Sequence, residues 1–259
     1  MTKLFLFEHP LSPYVQKVKI ALREKGIDFE TGRPGGIGAG ATPSDFNSAS
    51  PRHEVPALID GDVRLFDSRI IMDYIEEKWP APAISPTDPA ARARARMIEE
   101  AVDTQLEAIG WGLMELRVFK RGTQDVRAVL EARAATHIAQ FHAWLSDKLG
   151  DAPWFGGDTF QRADMAVISH LTGVARPPGG TPLGDWASRC LTRESVQLTA
   201  KEAAAGFAGM DQVEAAVKAG LFKRQYRDHR LEWMMRSGGI AIVTDGMAKN
   251  TIRFSSEIG

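Results

Sequence analysis

The spacing of apolar residues changes character at a cluster of prolines, and this change constrains the fold most. Up to Lys78 the chain alternates short strand-like and helix-like segments; beyond Pro86 apolar residues recur at a helical period for well over a hundred positions. Leu4-Phe-Leu-Phe7 is a short, bulky apolar run that suits a buried strand. Val15 to Lys25 places Val15, Val18, Ala21 and Leu22 on one helical face, and Gly26 ends it. Ile27-Asp-Phe-Glu30 reads as a strand. Gly32 to Thr42, with five glycines and a proline, reads as loop. Ala57-Leu-Ile59 and Val63-Arg-Leu-Phe66 flank Asp60-Gly61-Asp62 as a hairpin would. Ser68 to Lys78 then turns Ile70, Ile71, Tyr74 and Ile75 inward. The order β-α-β-α-β-β-α describes a small α/β domain over residues 1–80.

Trp79-Pro80-Ala81-Pro82 and Ser85-Pro86 form the connector to an all-helical region, residues 87–236. One stripe there runs Ile98, Val102, Leu106, Ile109, Leu113, Leu116. A second runs Val126, Leu130, Ala134, Ile138, Phe141, Leu145, Leu149. Arg176-Pro-Pro-Gly-Gly-Thr-Pro182 interrupts as a loop, and Phe207 to Arg236 reads as additional helix. Residues 237–259 form an extension in which Ile240-Ala-Ile-Val-Thr244, Asp245-Gly246 and Thr251-Ile-Arg-Phe254 suggest a hairpin.

Composition excludes several classes. With 32 Lys+Arg against 33 Asp+Glu the formal charge is −1, which leaves no basic surplus for nucleic acid or an anionic membrane. The 44% hydrophobic and 25% charged residues suit a soluble globular chain. Cys190 is the only cysteine, so an internal disulfide, a Cys-x-x-Cys pair and a thiolate zinc site are ruled out, and a reducing, cytoplasmic setting fits. The apolar start breaks at Glu8, too early for a signal peptide, and no run reaches membrane-spanning length. The histidines show no metal spacing: His137 and His142 are five apart on a helix and do not stack. Arg92, Arg94 and Arg96 suit a solvated helix start.

Three local patterns then stand in order: Ser12-Pro13-Tyr14 opening a helix, Glu54-Val55-Pro56-Ala57-Leu58 entering a strand, and Phe66-Asp67-Ser68 opening the next helix. In these the chain resembles the cytosolic glutathione S-transferases. The runs Ser50 to Gly61 and Leu65 to Pro80 match that family almost position for position. The likeness extends more loosely to about residue 200, with Trp154-Phe-Gly-Gly-Asp158 and Ala163-Asp164 as its later marks.

The resemblance implies a thioredoxin-like N-terminal domain, an all-α C-terminal domain, a homodimer, and glutathione as co-substrate, with no metal. Glutathione is an extended tripeptide with two carboxylates, an amine and a thiol. The family implies that Pro56 is cis, so that the Val55 backbone pairs with the cysteinyl unit as an added strand; a trans proline at a strand start is the plain alternative. It gives the γ-glutamyl carboxylate to Ser68 and the amine to Asp67, where the family more often has Glu; an N-cap alone also explains Ser68. It points to Ser12 as the thiol-activating residue. A free thiol titrates near 8.5, and a hydroxyl donor plus a helix N-terminus lowers it; one to two units corresponds to about 1.4 to 2.7 kcal/mol. The tyrosine-type position at the end of the first strand holds Phe7, Glu8 and His9 instead, and Tyr14 is the weaker alternative donor.

Two departures stand out. The family's Gly-Lys or Gly-Gln before Val-Pro is His53-Glu54 here, and Glu54 would repel the glycyl carboxylate unless turned away; His53 or Arg52 is the nearest replacement cation. Gln161-Arg-Ala-Asp164 lacks the usual Ser or Thr three residues before the Asp, so Asp164 is expected to secure a helix start. Tyr14, Trp111 and Met114 are candidate walls for an apolar second substrate, although such residues at helical spacing also serve as core. The expected activity is attack of the glutathione thiolate on a hydrophobic electrophile, as in detoxification, with the extension covering the second-substrate pocket. Cleavage of β-aryl ethers and a non-catalytic protein-binding module are the alternatives.

Overall fold

A computed structural model describes residues 3–171, 175–207 and 210–255. Met1-Thr2 and the last four residues of the extension lie outside the described residues. The first unit is built on a four-stranded mixed sheet ordered β2-β1-β3-β4, comprising β1 (Leu4–Phe7), β2 (Phe29–Gly32), β3 (Ala57–Asp60) and β4 (Val63–Phe66). β1 runs parallel to β2 and antiparallel to β3, and β3 pairs antiparallel with β4. Alternation along the strands decides which layer each side chain joins. Leu4, Leu6 and Leu58 join the core formed with α1 (Pro13–Glu24) and α3 (Ser68–Lys78), through Val15, Val18, Leu22, Ile71 and Ile75. Phe7 and Ala57 turn to α2 (Ser44–Ala49), where Phe46 and Ala49 cover them. This is the thioredoxin-like arrangement of a sheet between helices.

The register brings three chain segments to one end of the sheet. Phe7 pairs with Ala57, and Ala57 with Phe66. The exit from β1, the entry to β3 and the exit from β4 are therefore adjacent, and these segments carry Ser12, Val55-Pro56 and Asp67-Ser68.

The helical unit comprises α4 (Pro89–Ala101), α5 (Glu107–Arg117), α6 (Gln124–Leu149), α7 (Arg162–Leu171), α8 (Pro182–Cys190) and α9 (Glu194–Gly206). A single π turn over Val102–Leu106 joins α4 to α5. Asp164 does secure the start of α7: its carboxylate accepts the N–H groups of Phe155 (2.9 Å) and Gln161 (3.0 Å) and the Trp186 indole N–H (2.8 Å). Among the described residues no helix is long and apolar enough to cross a membrane.

α1 and α7 meet across a buried charge network. Lys17 donates to Glu99 (2.7 Å) and to Asp103, and Arg162 pairs with Glu99 and with Asp73. His170 faces Asp103 at 3.1 Å. Burial alone would raise the Asp103 pKa, but the Lys17 charge and the His170 contact outweigh it and hold the carboxyl below its usual range.

From here the extension is taken as everything beyond α9: α10 (Met210–Lys218), β5 (Arg224–Gln225), α11 (Asp228–Arg236), α12 (Ile240–Ala248) and β6 (Ile252–Arg253). The single extra helix read from Phe207 to Arg236 is thus two helices with β5 between them. The expected hairpin over 240–254 is also corrected: residues 240–248 are helical, and β6 pairs parallel with β5, not with 240–244. The β-branched run suggested a strand. Burial of Ile242, Val243 and Gly246, at helical spacing, decides otherwise. Asp245-Gly246, which resembles a turn, lies inside the helix, and the position takes glycine because a Cβ there would press on Arg121 and stand 2.6 Å from Ile252 Cγ2.

Candidate functional site

The site grows from the sheet end where β1, β3 and β4 converge. The Val55–Pro56 peptide is cis. Among the described residues neither the N–H nor the C=O of Val55 has a hydrogen-bond partner, so both remain available to an added strand. At the exit of β4, Asp67 holds φ +73°, a region that Asp tolerates better than most residues. Its carboxylate accepts the Arg69 N–H at 2.9 Å, and the turn brings Ser68, 4% exposed, to the first position of α3. The leading N–H groups of that helix have no intrahelical acceptors and suit an anion.

Ser12 caps α1: its Oγ accepts the Val15 N–H at 3.4 Å, a long bond that leaves the hydroxyl proton unused by the cap. Ser12 does not itself line the cavity formed here; Tyr14, two residues on, does. The Tyr14 hydroxyl donates to the Asp103 carbonyl (2.7 Å) within the π turn and lies 3.3 Å from His229 Nε2. Burial and the nearby Glu107 charge push its pKa well up. Its one proton is therefore committed away from any thiol.

The cavity encloses only about 40 Å³, lined by Tyr14, Glu54, Val55, Pro56, Asp67 and Ser68 on one side and by Asp103, Arg227 and His229 on the other. Ordinary small-molecule sites run from about 300 Å³ upward, so this one is shut. The extension shuts it. Glu54 Oε1 accepts from Gln225 Nε2 (2.7 Å) and Ser255 Oγ (2.8 Å), and Arg227 Nη1 stands 3.5 Å from Oε2. Arg253 Nη2 reaches the carbonyl of His53, which itself has φ +54°. Arg52, an expected replacement cation, lies over the Phe66 ring at 5.3 Å.

Trp111 and Met114 do not line this cavity. Trp111 is buried edge-on against Tyr226 (centroids 4.4 Å apart), with the Arg224 and Arg230 guanidiniums over its ring. Below it Arg230 forks onto Glu107 (2.5 and 3.0 Å), which also faces His229. Burial would raise the Glu107 pKa, yet the Arg230 charge and the His229 contact pull it far below the carboxylate range.

Arg227, His229, Gln225 and Ser255 are the site residues that sequence reasoning missed. Their only signal was a cluster of four arginines, Arg224, Arg227, Arg230 and Arg236, in an extension longer than the family core. A larger open groove of about 830 Å³ lies between the turn after α1 and α9, but both its arginines are paired, Arg23 with Glu202 and Arg193 with Glu24. Cys190 is buried in the helical unit, where desolvation raises its thiol pKa far above the ordinary value. Among the described residues no three His, Cys, Asp or Glu side chains gather as metal ligands would.

Comparison with known proteins agrees with this architecture. A profile of the glutathione S-transferase N-terminal domain matches residues 6–83. Glutathione S-transferase U22 of Arabidopsis thaliana is 32% identical over 195 residues, covering 71% of this chain and 84% of its own. A stringent starvation protein A homolog of Pasteurella multocida is also 32% identical, over 166 residues that cover 64% of this chain and 72% of its own. Among solved structures, a glutathione S-transferase of Rhodospirillum rubrum shares 26% identity at a TM-score of 0.60, covering 76% and 91% of the two chains. Rice GST1 in complex with glutathione superposes at a TM-score of 0.65, with 23% identity over 82% and 96% of the chains. With its sheet and these relatives taken together, the chain belongs to the glutathione S-transferase family.

Proposed function

We propose that this protein is a glutathione transferase that ionises the glutathione thiol and directs it at a hydrophobic electrophile, in the manner of detoxifying family members. The observation that carries this reading is the unpaired Val55 backbone beside the Asp67-Ser68 turn. An extended peptide laid along Val55 presents its γ-glutamyl carboxylate to Ser68 and the α3 N-terminus, and its amine to Asp67. Its sulfur then falls toward the start of α1, where Ser12 offers a free hydroxyl proton and the helix end adds partial positive charge. Those two effects favour thiolate over thiol. The thiolate attacks the electrophilic carbon, a carbon–sulfur bond forms, and the leaving group departs with the electron pair of the bond that breaks.

Family membership supports two further parts of the reading, a homodimeric assembly and work in the cytoplasm. The electrophile is an apolar molecule admitted between the first unit and α4–α5 when the extension opens; cleavage of β-aryl ethers is one form of the same displacement. Calorimetric titration with glutathione, followed by turnover with a panel of aryl halides and aryl ethers, tests the reading. Binding with turnover is expected.

A second reading, a non-catalytic module on the same fold, rests on the closed cavity and on the kinship with stringent starvation proteins. It predicts no heat of glutathione binding and no turnover.

A further inference from the structure

The sheet ends on one side at β2, which pairs only with β1. Successive residues of a strand turn their backbone groups to opposite sides, and the Glu8 N–H donates to the Gly32 carbonyl at 2.9 Å. Gly32 and Glu30 therefore face β1, and the N–H and C=O of Phe29 and Thr31 point outward. Among the described residues none of these outward groups has a partner, and Thr31 is exposed. Phe29 and Thr31 both line the open groove of about 830 Å³ that α9 borders, a volume within the ordinary range of binding clefts. The cations of the groove are spent: Arg23 is held by Glu202 and Thr199, and Arg193 by Glu24. Asp28 and Glu194 line the same groove, are exposed, and have no ion pair among the described residues. Leu198, 43% exposed, adds apolar surface on α9. No residue is shared with the cavity at Val55.

We propose that the free edge of β2 is a docking site for an extended, basic segment of another protein, which adds a strand to the sheet beside α9. This goes beyond the glutathione reading and does not depend on it. The outward groups of Phe29 and Thr31 are two residues apart, the repeat at which a strand offers hydrogen bonds to one side. They pair with the backbone of the incoming segment, and that bonding supplies affinity without sequence preference. Preference comes from the walls: Asp28 and Glu194 attract cationic side chains, and Leu198 receives an apolar one. A second copy of this chain suits the edge poorly. Pairing β2 with β2 sets Asp28 and Glu30 against the same carboxylates of the other copy, and like charges across a strand pair are destabilising.

The test is fluorescence anisotropy on the full chain with three labelled probes: a peptide of three Lys-Val repeats, one of three Glu-Val repeats, and the Lys-Val peptide with every amide N-methylated. The wild type is expected to bind the Lys-Val peptide about tenfold or more tighter than the Glu-Val peptide. N-methylation keeps the side chains and their charge but removes the backbone donors, and is expected to weaken binding about tenfold. Thr31→Pro removes an outward N–H at a position where an edge strand tolerates proline. It is expected to fold with an unchanged melting temperature and to bind the Lys-Val peptide about tenfold weaker. Asp28→Asn combined with Glu194→Gln narrows the preference for Lys-Val over Glu-Val to within about threefold. No binding of the Lys-Val peptide, undiminished binding of its N-methylated form, unchanged binding in Thr31→Pro, or equal affinity for the two charge types overturns the proposal. Self-association of the wild type that Thr31→Pro abolishes assigns the edge to a second copy and overturns it as well. If Thr31→Pro does not fold, the N-methylated peptide decides the same question on the unaltered chain.

Discussion

At Asp67, structural and ligand-binding roles can be separated by a single atom. Its carboxylate both caps α3 through the Arg69 N–H and, in the proposed complex, receives the glutathione amine. Asn keeps the capping oxygen and tolerates φ +73°. Asp67→Asn is therefore expected to keep thermal stability within about 0.5 kcal/mol of the wild type while weakening glutathione about tenfold, read by a melt and by calorimetry. Ser12 separates in the same way. Its cap bond is long at 3.4 Å, so Ser12→Ala should cost only about 0.5 to 1 kcal/mol of stability, yet reduce turnover with an aryl halide about a hundredfold. Ser12, Val55-Pro56 and Asp67-Ser68 were legible because each lies within a short motif whose local backbone role reads from sequence. Glu54 was legible only as an anomaly. Its partners Gln225 and Ser255 lie 171 and 201 positions away, a distance that no local pattern spans.

The elements of the first unit follow from period and punctuation, since each buries one face against a neighbour close in sequence. The extension does not obey that rule. α12 opens with strand-favouring Ile240, Ile242, Val243 and Thr244, yet it is helical, with Ile242 and Val243 packed into the helical unit and Arg121 donating to the Ile242 carbonyl and the Thr251 hydroxyl. α11 depends on an absence: Gly112 of α5 lies directly beneath the Trp233 ring, and a methyl group there would overlap it. Alanine normally strengthens a helix by about 1 kcal/mol relative to glycine. Gly112→Ala is predicted to do the reverse, destabilising the protein by about 1 to 3 kcal/mol as Trp233 is forced off α5. A lower melting temperature with changed near-ultraviolet dichroism is the expected outcome; a rise in melting temperature would show that α11 does not pack there.

Across the whole molecule, buried carboxylates tie together the sheet unit, the helical unit and the extension. Asp103 and Glu107 lie on one continuous helical rod, the first facing Lys17 of α1 and the second Arg230 of α11. Both have pKa values held below the ordinary range, so both bind fewer protons folded than unfolded. Their stabilisation is fully present above about pH 4.3, the unfolded range, and is lost as pH falls toward the folded values. Melting temperature should stay level from pH 7 to about 5 and drop steeply below about 4. Lys17→Met, which strands Glu99 and Asp103 beside a single arginine and a histidine, is expected to cost about 3 to 5 kcal/mol at neutral pH by chemical denaturation.

The central claim is that the start of α1 ionises a thiol held along Val55, and the ionisation of bound glutathione measures it directly. An ultraviolet difference titration of the complex is predicted to give an apparent thiol pKa about one to two units below 8.5, returning close to 8.5 in Ser12→Ala. The same value near 8.5 in both proteins would contradict the account.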